Sequence, residues 1–379
     1  MFNIIILGIT SFLTDVSSEM IYPLIPVYLV TQLGVSPVIL GLIEGVAESL
    51  ASMLKVFSGY LSDKIKLRKP ITIFGYTFSM IGKVFLYLSS SWHLVFWGRA
   101  LDRFGKGVRT APRDTLIAES SQTKNRGASF GLHRTMDTLG AVVGILLAYY
   151  LFTAYKGSFN NLFLFSLLPA VLGVLFLFLV KEKRKVIQES EFKQKLSFKW
   201  SNLDKRLRIF LIITFIFSLG NSSNQFLLLR AKNIGFNMAT VILLYLTYNL
   251  SYAIFSWPAA WLSDRVGRKR ILVIGYLVYA IVYLGFAITQ SHSLVWFLFA
   301  LYGIYSGFTE GVEKALIVDL APRELRATSI GLHGMLVGIG LLPASLIAGL
   351  LWRFVGVNSP FYLGSVLSLL AGLALWLLI

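Results

Sequence analysis

The chain contains no cysteine, which excludes disulfides, a thiol nucleophile and cysteine-held metal, and leaves the redox compartment open on this ground. Charge is scarce as well: 14% of the 379 residues are Asp, Glu, Lys or Arg, and acids are outnumbered 18 to 35 by Lys and Arg. No H-E-x-x-H, G-x-S-x-G or P-loop pattern occurs and no polar segment is long enough for a signalling domain, so a membrane enzyme or sensor is the remote reading. The basic residues flank apolar runs without interleaved aromatic platforms, which argues against nucleic acid as a partner. Residues 1–10 offer neither a basic n-region nor a small-residue cleavage site, so the first apolar helix is expected to be retained.

What the chain does have is apolar surface. With 56% hydrophobic residues and a mean hydropathy of +0.72, it carries more than one aqueous fold can hide, and an all-α integral membrane protein is expected. Runs of about 20 residues, enough to cross roughly 30 Å of hydrocarbon, recur twelve times. Their approximate limits are 3–31, 37–62, 70–89, 92–113, 127–154, 159–180, 207–229, 237–262, 270–289, 293–318, 327–350 and 359–379. Basic residues follow the even-numbered spans, ten of them between 181 and 208, whereas the opposite loops carry four. By the positive-inside rule the protein is a multi-pass protein of the cytoplasmic (inner) membrane with both termini in the cytoplasm.

The chain also repeats itself. A shift of 200 residues aligns ITIFGY (71–76) with ILVIGY (271–276), LIAES (116–120) with LIVDL (316–320), and RGASFGLH (126–133) with RATSIGLH (326–333). Two six-helix halves, 1–180 and 207–379, joined by the basic cytoplasmic linker 181–206, therefore form a pseudo-symmetric parallel repeat. His133 and His333 recur in the shared GLH triplet, which points to a common structural task rather than metal ligation.

WLSDRVGRKRIL at 261–272, with its first-half copy GYLSDKIKLRKPI at 59–71, resembles the G-x-L-x-D-R-x-G-R-K signature of the major facilitator superfamily. The first copy departs from it, with Lys66 where the internal Gly belongs. GRALDRFGKGVRTAPRD at 98–114 is similar to the R-x-x-q-G-x-G segment of the family, with Arg99 in the Arg position and Arg103 in place of the first Gly. The resemblance covers the whole chain and points to the bacterial drug and solute exporter branches. It implies alternating access, and a gate role for Asp63 and, by symmetry, Asp264. Antiporters of the family carry Gly-Pro in helix 5; DTLGAVVGILL (137–147) keeps Gly140 and Gly144 at a close-packing interval but lacks the Pro.

Charges inside spans are expensive, about 2.5–3.5 kcal/mol each at the centre on the insertion scale, and here they crowd the first half. Asp15, Glu19, Glu44, Glu48, Asp102 and Asp137 face Lys55, Lys83, Arg99, Arg103, Lys106, Arg109 and Arg134. The second half offers neutral groups, Asn221 and Asn224 among them. Depth, at 1.5 Å per residue, puts Asp15, Glu19, Glu48, Asp102, Arg103 and Asp137 near the midplane, and with Asn221 and Asn224 these are the candidate substrate and proton ligands. Arg99, Lys106, Arg109, Arg113, Arg134, Glu313 and Lys314 are gate candidates, with Arg113-Asp114 and Glu313-Lys314 expected to pair across the seam between the halves. Arginines of the fourth span are the competing partners for Asp15 and Glu19, and Lys83 is expected to snorkel.

The favoured function is a secondary transporter, a proton-coupled exporter of a small organic solute or drug. Burial favours a neutral carboxyl and a nearby Arg favours the ionised one, so a pair that separates as the halves rock takes up and releases a proton. The alternative is a uniporter, or an exporter of divalent metal or a metal chelate. Partners are the solute, protons and the bilayer; no cofactor is expected, and the protein is expected to be a monomer. Charge leaves the solute open, because mixed signs in the cavity suit cations, anions and zwitterions alike.

Overall fold

The computed structural model describes residues 2–65, 68–122, 126–182, 203–322 and 325–379. The central part of the linker, 183–202, and the side chain of Asp63 lie outside the described residues. The described residues form helices without strands: α1 (Phe2–Ile21), α2 (Ile25–Val27) running into a π-helical turn (Tyr28–Gln32), α3 (Pro37–Ile65), α4 (Arg68–Tyr87), α5 (Trp92–Ser120), α6 (Arg126–Ala154), α7 (Phe159–Leu177), α8 (Lys205–Gly220), α9 (Gln225–Ile234), α10 (Met238–Val266), α11 (Arg268–Ile288), α12 (His292–Leu320), α13 (Arg326–Phe354) and α14 (Ser359–Leu378). Taking α1 with α2, and α8 with α9, gives the twelve expected spans.

Among the described residues, nine spans are apolar enough to cross a membrane by length and composition alone. The other three, α4, α5 and α12, carry the charges: Lys83, the α5 series from Arg99 to Asp114, and Glu310 to Lys314. They hold their places in the bundle by packing, since α5 lies against α3 and α4, and α12 against α10 and α11.

Two spans that the sequence presents as continuous are broken. The first stops at Tyr22–Leu24, where Pro23 disfavours helical backbone in Tyr22 and brings no N–H. The seventh unwinds at Asn221–Ser223, whose short polar side chains compete for the backbone. The freed groups find partners, as apolar surroundings demand: the Tyr279 hydroxyl donates to the Gly220 carbonyl at 2.9 Å, and the Ser223 N–H donates to Ser345 Oγ at 3.2 Å.

Packing repeats along with the sequence. α1 lies against α6 and α7 as α8 lies against α13 and α14, and α4 meets α7 as α11 meets α14. The two halves then join through symmetry-related pairs, α3 on α13 and α6 on α10, with α2 touching α9. The α3–α13 seam is close because glycines line it. A Cβ on Gly41 would stand 2.1 Å from the Ser345 carbonyl oxygen, and one on Gly349 would stand 2.6 Å from that of Pro37. Gly140 and Gly144 do the same for α6, bringing it onto the α1 backbone at Phe12 and Val16.

Candidate functional site

The site is built from the inside of the first half outward. Arg99 on α5 makes a bidentate pair with Glu44 on α3, both contacts 2.7 Å, with both side chains buried. One turn along, Arg103 pairs with Glu48 at 2.9 Å. Lys83 on α4 donates to Asp102 at 3.2 Å, and Asp102 also lies 3.7 Å from Arg99. Arg109 donates to Ser79 Oγ and stands 4.4 Å over the Tyr76 ring. Glu44 and Glu48 are four residues apart and so present both carboxylates to α5, whose Arg99 and Arg103 have the same spacing.

Several expected placements are thereby revised. Arg99 and Arg103 are neutralised by Glu44 and Glu48, Arg113 pairs with Asp114 and Arg109 bonds Ser79, so among the described residues no α5 arginine lies within ion-pair distance of Asp15 or Glu19. Arg99 is 2% exposed and sits in this buried network, its guanidinium 5.5 Å from the centre of the Tyr22 ring, and Asp102 is 4% exposed and held by Lys83. Lys83 does not snorkel; it faces inward because Asp102 lies across from it. Arg113 pairs with adjacent Asp114 at 2.8 Å instead of crossing to Glu313, which stays in its own half, accepting from the Tyr276 hydroxyl at 3.0 Å and lying 3.4 Å from His333. Among the described residues the ion pair that does cross the seam is Arg134 on α6 with Glu310 on α12 at 3.8 Å, reinforced by the Tyr252 hydroxyl, which bonds both.

Between the halves lies a cavity of about 410 Å³. Of the candidate ligands, Asp15, Glu19 and Asp137 line it; of the gate candidates, Lys106, Arg109, Arg113, Arg134 and Lys314 do. Lys106 is the middle residue of α5, which runs to Ser120, seven residues beyond the expected end of that span. Glu48, Asp102 and Arg103 stay in the network behind the wall. On the side of α2 and α9 the cavity is closed by Tyr22 packed at a tilt on Tyr245, 5.3 Å between ring centres, and by the Tyr245 hydroxyl donating to Glu19 at 2.8 Å. Asn224 accepts from the Tyr302 hydroxyl at 2.7 Å. Asn221 lines a second pocket of about 180 Å³ in the second half, beside Phe217, Tyr248, Tyr305 and Glu313. Asp264 is paired with Arg268 at 3.5 Å, and Arg268 also holds Asp319, tying α10, α11 and α12 together at one end.

Not assigned from the sequence were Lys55, Tyr245, Tyr252 and Glu310, all of which line the cavity or close it. Lys55 carried a signal: Glu44, Glu48 and Lys55 fall at i, i+4 and i+11, one face of α3. Tyr245 stood out as one of the neutral polar groups of the second half, but Tyr252 carried no signal, because aromatics are ordinary in a bilayer protein.

The model of the Major Facilitator Superfamily matches residues 7–229 and again 210–379. The chain belongs to that superfamily. This transporter is 42% identical, over 98% of its length and 94% of the other's, to an uncharacterized MFS-type transporter of Methanocaldococcus jannaschii. It is 21% identical to the multidrug resistance protein MdtH of Baumannia cicadellinicola, over 85% and 77% of the two chains. Among solved structures it superposes on the nucleoside transporter NupG with a TM-score of 0.79 at 16% identity, covering 99% and 98% of the chains. The human organic anion transporter MFSD10 superposes with a TM-score of 0.68, also at 16% identity and covering 98% of each chain. At that identity the likeness speaks for the fold.

Proposed function

We propose that this transporter is a proton-coupled exporter, an antiporter that carries a small organic solute or drug out across the cytoplasmic (inner) membrane by alternating access. In this reading the halves 1–180 and 207–379 rock as units, the termini and the linker 181–206 face the cytoplasm, and the protein works as a monomer. The observation that carries it is Asp15: it lines the central cavity, in the middle of a membrane span, with no hydrogen-bond or ion-pair partner among the described residues. Such a carboxyl is costly when ionised in a closed cavity and inexpensive when the cavity admits water. Its protonation therefore favours one of the two states, which is what coupling requires. Asp137 is the second candidate, with one oxygen 3.5 Å from His133 and the other buried without a hydrogen-bond partner. The MdtH relatives, named for multidrug resistance, support export.

The test is solute-driven proton movement in proteoliposomes, read with an entrapped pH dye while cationic, anionic and zwitterionic compounds are added in turn. A coupled exporter moves protons against solute, accumulates solute when a pH gradient is imposed, and loses both in Asp15→Asn. Solute flux indifferent to the gradient would establish the uniporter instead. Export of a divalent cation draws less support, because among the described residues no three His, Asp or Glu side chains gather closely enough to hold an ion.

A further inference from the structure

The charges of the cavity wall are not all available to a solute. Arg113 is taken by Asp114, Arg134 by Glu310 and Tyr252, and Lys314 shares Glu310 at 4.0 Å. Arg109 is buried against Ser79 and Tyr76, Glu19 is taken by Tyr245, and Asp137 has one of its two oxygens beside His133. What is left over is Lys55 on α3, Lys106 on α5 and Asp15 on α1. Both lysines are exposed to the cavity and neither has a carboxylate within ion-pair distance among the described residues. Two ammonium groups that face one cavity without carboxylate partners give that part of its wall a surplus of positive charge.

A second observation bears on the rest of the solute. The pocket of about 180 Å³ in the second half adjoins the cavity, since Glu310 lines both. Its walls are Phe217, Tyr248, Tyr305 and Val337 with the polar side chains of Thr214, Ser218, Asn221, Ser306 and Thr309, and the carboxylates Glu310 and Glu313 also line it, Glu313 being held by the Tyr276 hydroxyl and Glu310 by Arg134. A space of roughly 150 Å³ is large enough for a benzene ring, and the three aromatic walls of this mixed polar and aromatic pocket offer it offset or edge-on packing.

We propose that the site is built for an aromatic organic anion, with its acidic head seated between Lys55 and Lys106 and its ring in the pocket walled by Tyr248 and Tyr305. The inference rests on the transporter reading only in taking the cavity as the solute site. It assigns Asp15, on α1, to the proton, so that solute and proton occupy different groups of one cavity.

Binding to the purified full chain tests this, by thermal stabilisation and tryptophan fluorescence with three probes: phenylphosphonate, methylphosphonate and benzyltrimethylammonium. The expected order of affinity is the aromatic anion, then the small anion, then the aromatic cation. Lys55→Gln and Lys106→Gln each weaken phenylphosphonate about tenfold, the loss of one charge-assisted hydrogen bond. Lys106→Arg keeps most of the affinity, and the melting temperatures without ligand show that the variants are folded. Tyr305→Leu brings phenylphosphonate down to the level of methylphosphonate. The proposal is overturned if the cation binds as tightly as the aromatic anion, if both Gln variants bind like wild type, or if no probe stabilises the protein at millimolar concentration. Equal affinity for the two phosphonates removes the ring pocket from it. An aromatic cation exported in exchange for protons would overturn this inference and leave the exporter reading standing; phenylphosphonate that binds through Lys106 but ignores a pH gradient would do the reverse.

Discussion

At the scale of single residues, the structure separates charges that hold the protein together from charges left free to act. Glu44 is fully buried and its two oxygens are both taken by Arg99. Arg99→Ala strands that carboxylate, at a cost of about 3–5 kcal/mol, and Arg99→Lys restores little of it because an ammonium group cannot reproduce the planar fork. The melting temperature of the purified variants checks this; a change indistinguishable from wild type would mean that Glu44 is hydrated or neutral. Asp15 behaves in the opposite sense. Asp15→Asn removes a group with no partner, so the fold is expected to keep its stability while pH-dependent transport disappears. The contrast was only half legible in the sequence. Six acids against seven bases in the first-half spans announced pairing, but which acid met which base depended on how α3, α4 and α5 lie on one another.

At the scale of elements, helix contacts are set by glycine. α3 approaches α13 so closely at Gly41 that any side chain there meets the Ser345 carbonyl. Gly41→Leu is expected to open this seam, on the side where α2 and α9 meet. Overpacking of about 1–3 kcal/mol shifts a two-state equilibrium by roughly 5- to 150-fold, and the reporter is Ile25→Cys, fully buried at that junction. Because the chain has no natural cysteine, maleimide labelling reads this single site. Faster labelling in Gly41→Leu is the expected result, and unchanged labelling would sink the idea that this seam is a moving closure. The close packing of Gly140 and Gly144 was legible as small residues four apart; that of Gly41 against Ser345 was not, since it joins residues some 300 positions apart.

At the scale of the whole molecule, two halves with the same packing plan carry different chemistry. The first holds the ion network and the free carboxyl. The second holds tyrosines, asparagines and the seam acid Glu310. Charge reversal at Arg113, a gate candidate by sequence, would meet only the Asp114 of its own half in this state. The reversal that tests the seam is Arg134→Glu, which sets like charges beside Glu310 and is expected to raise labelling of Asn249→Cys in the cavity wall. Labelling equal to that of the parent would show that the Arg134–Glu310 pair does not restrain the halves. Sequence alone determined the membrane class, the twelve spans and the tandem repeat, because hydropathy, loop charge and internal similarity are properties of the chain itself. It also exposed Asp15 and Glu19 as carboxylates in an apolar helix. Which charges are spent on one another, and that Glu19 is tied to Tyr245 while Asp15, Lys55 and Lys106 stay free, was decided only by tertiary structure. Pairing is a matter of distance between helices, and helices remote in sequence set that distance by packing.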